Sequence, residues 1–400
     1  MIDPKDFYRK MDGLLGDIVE PIGSDISFFT SLLDNLEGMF GDELLFGEGH
    51  LYSENGRVFD LVHTVGGTPR FPARVANTDP LIKQVIDHGG YIFQEPNEAP
   101  DWFDLMGRQF VGLVAFRVVS PPVDTFLFIY GLRPGWTREE VAFCLNTIRF
   151  TLGYRLRADA VADDIDKAAA IQRSLLPSSP PEFKGFDIAV RSEPAEQVGG
   201  DLYDFIDLSD DMLGIAIGDA SGHGLPAALL VRDVLMGIRM GMGTGLKMVH
   251  MLKRLNRVIH ETTYSTRFIS VFYCELDAEG GILYANAGHT SGLILHDGKV
   301  ERLDPTGTVM GPLENIPLLR GFSKLPHDGV LVLYTDGITE RNSPDGTPWE
   351  DEGLVKFVRE RCHLSAEEIV EETYDYALSL DHQSDLLEDD STLMIIKRVG

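Results

Sequence analysis

From about residue 183 to its end the chain is a succession of short apolar runs of strand length: FDIAV, MLGIAIGDA, RFISVFYCEL, GILYANAG, GLILH, GVLVLYTDG and STLMIIKRV. Turns separate them, and two long helical patterns interrupt them, LPAALLVRDVLMGIRMGM and LKMVHMLKRLNRVIHETT; a third, SAEEIVEETYDYALSL, precedes the last run. Strands mixed with blocks of helix, without strict βα alternation, predict an α+β fold rather than a doubly wound or all-β one. Hydrophobic residues are 44% of the 400, enough to fill cores in more than one domain.

Residues 1–152 read as a separate domain, a sheet flanked by helices. GHLYSENGRVFDLVHTV predicts two strands joined at an Asn55-Gly56 turn, both residues tolerating the positive φ of a type I′ hairpin. FVGLVAFRVV and TFLFIYGL predict two more, parted by Pro121-Pro122, and LIKQVIDHGG a helix with a glycine stop. TREEVAFCLNTIRFTLGYRL opens on a capping box, Thr137 and Glu140, and continues as a helix. Residues 153–180 form a helical linker. In it Tyr154, Ala158, Val161, Ile165, Ala168, Gln172 and Leu175 recur at steps of four and three, an a/d seam of about three heptads. Two readings stay open: a dimerising coiled coil that carries a signal, or a connecting helix packed on either domain. Pro177, Pro180 and Pro181 end it, and residues 181–400 are the C-terminal domain.

Sixty-three acidic against thirty-five basic side chains give a net charge of −28, which repels phosphate backbones and anionic lipid and argues against nucleic-acid or membrane binding. Three distant cysteines, Cys144, Cys274 and Cys362, form no Cys-x-x-Cys pair and support neither a disulfide framework nor a zinc site. MIDPKDFYRK lacks the apolar centre of a secretory leader, and no run approaches the ~20 apolar residues of a membrane span. The expected home is the cytoplasm.

Aspartates stand at the ends of the apolar runs. Asp201 lies in VGGDLYDF, Asp219 in IGDASGHG, Asp336 in VLYTDGITE, and Asp389 and Asp390 precede STLMIIK. Any one of them reads equally well as a turn former. Four such positions in one domain are different, because clustered carboxylates repel unless a cation sits among them. An all-oxygen donor set without a His/Cys cluster suits Mg²⁺ or Mn²⁺. Gly199-Gly200 and Gly218, Gly222 and Gly224 permit close backbone approach, so the Ala220 carbonyl joins Asp219 as a candidate ligand. Two such ions serve in-line displacement at phosphorus, so metal-assisted phosphoester hydrolysis is the chemistry these residues point to.

QRSLLP, PAEQVGGDLYDF, GDASGHGLPAALL, YANAGHTSGLIL, LYTDGITE and DDSTL follow one another in order over residues 170–398. The C-terminal domain thereby resembles the bacterial branch of the metal-dependent protein serine/threonine phosphatases, the RsbU and SpoIIE type of the PPM family. That resemblance implies an α-β-β-α sandwich with two metal ions, Mn²⁺ or Mg²⁺, at one edge. It implies Asp219 as bridging ligand with Ala220 offering its carbonyl, Asp336 and Asp389 as ligands, and Asp201 reaching an ion directly or through water. Asp390 sits where many relatives have Asn, and Asp204 is expected to face solvent. Water rather than a side chain would be the nucleophile.

Two departures accompany the match. Eukaryotic relatives carry a phosphate-gripping Arg near the position of Glu196, and a His where Ser221 stands here. The general acid is therefore unassigned; His223 and His289 are candidates, each expected to be a structural histidine. GGDLYD is similar to the GGDEF signature of diguanylate cyclases, but Leu202 follows Asp201 and the later motifs have no place in that scheme. No phosphate-binding glycine loop of the Walker or dinucleotide type is present.

The N-terminal domain resembles a GAF-type sensory domain in its hairpin near Leu51–Val65, its LIKQVIDHGGYIF passage and its LFIYGLRPGWTREEVAFCLNTI ending. The cyclic-nucleotide pattern of such domains is missing, and His63, His88 and Cys144 are expected to be structural. The resemblances together imply a cytoplasmic phosphoprotein phosphatase, a homodimer through its linker helix, acting on phosphoserine or phosphothreonine of a STAS-domain anti-sigma antagonist. A small molecule or protein at the GAF-like domain would regulate it. The alternative is a regulatory binding module whose phosphatase domain is dormant until a partner activates it.

Overall fold

Side chains that alternate between two faces build the sheet of the N-terminal unit. The computed structural model describes residues 9–10, 13–14, 26–66, 71–88, 91–94, 110–120, 124–243, 247–262, 267–341, 349–380 and 389–399. The chain divides into two compact units, Met1–Asp164 and Ile165–Gly400. Residues 1–8 of the MIDPKDFYRK start, the Gly89-Gly90 stop and Pro121-Pro122 fall outside the described residues. Among the described residues no helix is long and apolar enough to cross a membrane.

The first unit runs α1 (Ile26–Leu44), β1 (Phe46–Asn55), β2 (Val58–Thr64), β3 (Arg74–Ala76), α2 (Pro80–His88), β4 (Tyr91–Gln94), β5 (Gly112–Ser120), β6 (Asp124–Leu132) and the start of α3 (Arg138–Leu175). Its six strands pair in the order β3-β2-β1-β6-β5-β4. Val114, Phe116, Phe128 and Tyr130 face α1 and the first turns of α3, while Leu113, Ala115, Leu127 and Ile129 face Leu81, Ile82 and Val85 of α2. The hairpin forms one residue later than its sequence suggests. Asn55 pairs with Val58, so Gly56 and Arg57 make the turn, with Gly56 at φ 66° in the type II′ pattern. Cys144 lies in the core, where burial pushes its thiol pKa up. His63 pairs with Asp34 at 2.9 Å, and the side chain of His88 lies outside the described set. α3 begins after Thr137, whose hydroxyl meets Glu140 at 2.5 Å, and is one helix of 38 residues. On its seam Tyr154 is 79% and Val161 59% exposed.

The second unit continues with β7 (Phe186–Glu193), β8 (Asp201–Ser209), β9 (Met212–Ala220), α4 (Leu225–Gly243), α5 (Met248–Thr262), β10 (Ile269–Asp277), β11 (Gly281–Ala287), β12 (Gly292–His296) and β13 (Lys299–Leu303). After these come β14 (Gly321–Lys324), β15 (Val330–Tyr334), α6 (Asp336–Thr339), α7 (Glu350–Arg361), α8 (Ala366–Leu380) and β16 (Ser391–Arg398). Two antiparallel five-stranded sheets result, β14-β11-β10-β9-β8 and β13-β12-β15-β16-β7.

Strand alternation decides the layers. Ile215, Ile217, Phe272 and Cys274 of the first sheet meet Leu331, Leu333, Met394 and Ile396 of the second in the central core. Ala216, Val271 and Tyr273 point the other way, onto Val231, Leu235 and Leu252 of α4 and α5. Val332, Leu393 and Ile395 likewise point onto Val358, Ile369 and Tyr374 of α7 and α8. This is the expected α-β-β-α sandwich. Five elements of this unit were not among the runs read from sequence: β8, β13, β14, α6 and α7, the last burying only Leu354 and Val358 along its own length.

Candidate active site

β8 and β9 are neighbours, and their register sets Asp201 directly opposite Asp219 at one end of the first sheet. Glycine makes the junction possible: a Cβ on Gly200 would stand 2.8 Å from the Ala220 carbonyl oxygen, and one on Gly218 2.5 Å from the Ser270 carbonyl. The loop after β9 needs the left-handed backbone of Gly222 and Gly224, at φ 86° and 72°.

Asp201 is buried and reaches across the sandwich. Its Oδ2 accepts hydrogen bonds from the hydroxyls of Thr335 at 2.8 Å and Thr392 at 2.7 Å, both on the second sheet's side. Its Oδ1 is buried with no hydrogen-bond partner. The two threonines are tied to each other, since Thr335 N–H donates to the Thr392 carbonyl and Thr392 N–H to the Thr335 hydroxyl. Neither threonine was singled out from sequence, although each stands within two residues of a motif aspartate.

Asp336 opens the single turn of α6, and the next residue has to be glycine. A Cβ on Gly337 would come within 2.1 Å of the Asp390 carbonyl. The pair before β16 divides its labour. Asp390 is buried, its Oδ1 accepting from Ala195 N–H at 2.7 Å and its Oδ2 from Gly200 N–H. Asp389 is exposed; among the described residues its carboxylate accepts the N–H of Asp390, at 2.8 Å, which leaves lone pairs for other donors.

Burial and mutual repulsion push these carboxyls up. Burial raises Asp219 to about 9, with Asp201, Asp336, Asp389 and Asp390 all adding to it. Burial raises Asp201 to about 8 against the pull of its two threonine bonds. Asp336 is raised by burial and then by Asp389, and Asp390 by burial against its two backbone N–H bonds. Among the described residues no three Asp, Glu, His or Cys side chains are close enough to form a ready-made metal cage. The donor set nonetheless fits a hard divalent cation: all oxygen, mutually repelling, with one buried oxygen left without a partner.

The two histidines differ. His289 is buried, its Nδ1 2.7 Å from the Ser270 hydroxyl, and burial pushes it down to about 4. It is a neutral, hydrogen-bonded part of the fold. His223 is exposed and pairs with Glu196 at 2.7 Å, beside the glycine loop. Asp204 does not face solvent as expected. It is buried and bound by Arg239 of α4 at 2.7 and 2.9 Å, because it shares with Leu202 the face of β8 that lies under α4.

A sandwich of this kind, with carboxylates converging at one edge, is the PP2C-type phosphatase fold; the SiaA-PP2C domain of Pseudomonas aeruginosa superposes with a TM-score of 0.54 at 18% identity, covering 60% of this chain and 98% of that domain. The chain belongs to the family described as Stage II sporulation protein E (SpoIIE), whose profile matches residues 209–399, and is a protein serine/threonine phosphatase. Phosphoserine phosphatase RsbU of Bacillus subtilis (strain 168) is 32% identical over 241 residues, 60% of this chain and 71% of RsbU. Phosphoserine phosphatase RsbP of the same organism is 30% identical over 152 residues, 36% of this chain and 38% of RsbP. The family is metal-dependent, in keeping with the donor set. Asp219, Asp336 and Asp389 fall within the profile match, and Asp201 lies ahead of it.

Proposed function

We propose that the C-terminal unit removes phosphate from phosphoserine or phosphothreonine of a STAS-domain anti-sigma antagonist, releasing it to act in partner switching. Asp201, Asp219, the Ala220 carbonyl, Asp336 and Asp389 would hold the metal, two ions of Mn²⁺ or Mg²⁺. Bound divalent cations supply charge neutralisation at the phosphoryl oxygens and lower the pKa of water. The residues do the rest. Thr335 and Thr392 orient Asp201, Asp390 holds the 195–200 loop, and Gly337 lets Asp336 and the Asp389-Asp390 segment meet. The observation that carries this reading is Asp201 standing opposite Asp219 while bonded to the other sheet. The N-terminal unit is read as a GAF-like sensory domain, and the exposed seam of α3 as the contact of a homodimer.

The test is hydrolysis of p-nitrophenyl phosphate, then of a phosphorylated STAS-domain protein, with Mn²⁺ and with chelator. Turnover should need the metal and vanish in Asp219→Asn and Asp336→Asn; turnover surviving both refutes the site.

A further inference from the structure

The end of α3 is joined to the strand that carries Asp201 by more than packing. Gln172 Nε2 donates to the Gly199 carbonyl at 2.5 Å, and Gly199 N–H donates back to Gln172 Oε1 at 3.1 Å. One side-chain amide thus satisfies both polar groups of a single buried residue. Gly199 has no room on its other side, where a Cβ would stand 3.0 Å from Pro194 Cβ and 3.1 Å from Asp390 Cγ. The next residue, Gly200, gives its N–H to Asp390, and the one after is Asp201 itself. Three successive residues are therefore each held by a different element: 199 by α3, 200 by the segment before β16, 201 by the two threonines.

The same stretch also grips Asp201 from downstream. Arg239 donates to the Leu175 carbonyl at 2.7 Å while binding Asp204, and Tyr203 OH donates to the Pro177 carbonyl at 3.0 Å. Ala169 is buried against Val198 and against Ala228, in the first turn of α4 just past the Asp219 loop. Residues 169–177 accordingly hold the Gly199 backbone upstream of Asp201 and meet the Tyr203 hydroxyl and, through Arg239, the Asp204 carboxylate downstream of it.

Resting on the metal-site reading above, we propose that Gln172 is a positioning residue for Asp201. By fixing the Gly199 peptide it sets where β8 begins, and so places the unpartnered Oδ1 of Asp201 for the ion. A residue acting only on overall stability would change the melting temperature and leave ion affinity alone. Loss of a residue that orients a ligand costs about ten- to a hundredfold in affinity, and that sets the expected scale.

The experiment uses the full chain and reads Mn²⁺ binding directly, by electron paramagnetic resonance of free Mn²⁺, beside backbone amide exchange over 198–204. Gln172→Met keeps the length without either hydrogen bond and should weaken Mn²⁺ binding by about tenfold or more and speed exchange at 199–201. At saturating Mn²⁺ its kcat should stay within about twofold of the parent, because Gln172 touches no reacting atom. Gln172→Glu, which keeps an acceptor for Gly199 N–H, should fall between. Gly199→Ala presses on the same peptide from the Pro194 side and should reproduce the loss; Arg173→Ala, on the exposed face, should not. If Gln172→Met fails to fold, Gly199→Ala and Gln172→Glu decide alone. Mn²⁺ affinity unchanged in these variants while Asp219→Asn abolishes binding overturns the role of Gln172 and leaves the metal site standing. Undiminished Mn²⁺ binding in Asp219→Asn overturns the metal-site reading, and this inference with it.

Discussion

Thr392 and Asp201 come from opposite sheets, yet the threonine hydroxyl donates a 2.7 Å hydrogen bond to the aspartate's Oδ2. Thr335 donates to the same oxygen, so one carboxylate is oriented by two hydroxyls and left with its other oxygen free. Orientation by hydrogen bonds of this kind is worth roughly 1.5–3 kcal/mol when the acceptor is charged.

Thr392→Val and Thr335→Val should therefore each weaken the Mn²⁺ requirement curve by about ten- to a hundredfold. The double variant should lose less than the product of the two, because both act on one oxygen. Activity against p-nitrophenyl phosphate over a Mn²⁺ titration measures this; two wild-type curves would remove the threonines from the site.

Protonation sets a second expectation. The folded pKa values of Asp201 and Asp219, about 8 and about 9, lie above the ordinary value of 3.8. The folded state then binds protons more tightly than the unfolded chain, so this stabilisation is complete below the ordinary value and is lost as pH rises toward about 9. In chelator, the melting temperature should fall between about pH 6 and pH 9, with a shallower slope in Asp219→Asn. Added Mn²⁺ should raise it more at the alkaline end, where the ligands are deprotonated.

The neighbours Asp389 and Asp390 should separate on mutation. Asp389→Asn removes charge from an exposed, uncommitted carboxylate and should cut turnover by about a hundredfold or more. Asp390→Asn keeps one acceptor for Ala195 or Gly200 and should cost about tenfold or less. Steady-state kinetics at saturating Mn²⁺ compare them, and the reverse order would exchange their roles.

Gly337→Ala places a methyl group 2.1 Å from the Asp390 carbonyl. It should destabilise by about 1–3 kcal/mol and push Asp336 out of register with Asp389, lowering activity more than stability. Urea unfolding beside kcat/KM makes the comparison.

Arg239→Leu leaves the buried Asp204 carboxylate with the Phe205 N–H but without its guanidinium, and should cost about 1–3 kcal/mol in urea unfolding. Removing both charges in Arg239→Leu/Asp204→Leu should recover much of that loss.

What could be read from the chain followed physical legibility. Asp219 and Asp336 announced themselves because a charge at the end of IAIG or VLVLY is incongruous there. The strands showed as short apolar runs, because those such as VLVLY are buried on both faces, while their pairing into two sheets came from the family resemblance. Thr335 and Thr392 were invisible because threonine is an ordinary strand residue, and only a partner 134 or 191 positions away gives it a task. Gln172 read as a seam residue for the same reason: its partner is the Gly199 backbone, which has no sequence signature. Asp204 was misjudged because a lone carboxylate in DLYDF belongs at the surface unless an arginine 35 residues on covers it. The Asn55-Gly56 turn slipped by one residue, since Asn-Gly and Gly-Arg both supply a glycine at a positive φ.

Among the described residues β8 is the outermost strand of its sheet, laddered to β9 alone. Asp201 therefore rides on a border element rather than an interior one. Border strands can separate locally for far less free energy than global unfolding demands. Here three neighbours, the end of α3, the segment before β16 and the two threonines, hold that border where a second ladder would otherwise do so, and loosening any of them can free Asp201 while the double-layered core beneath stays folded.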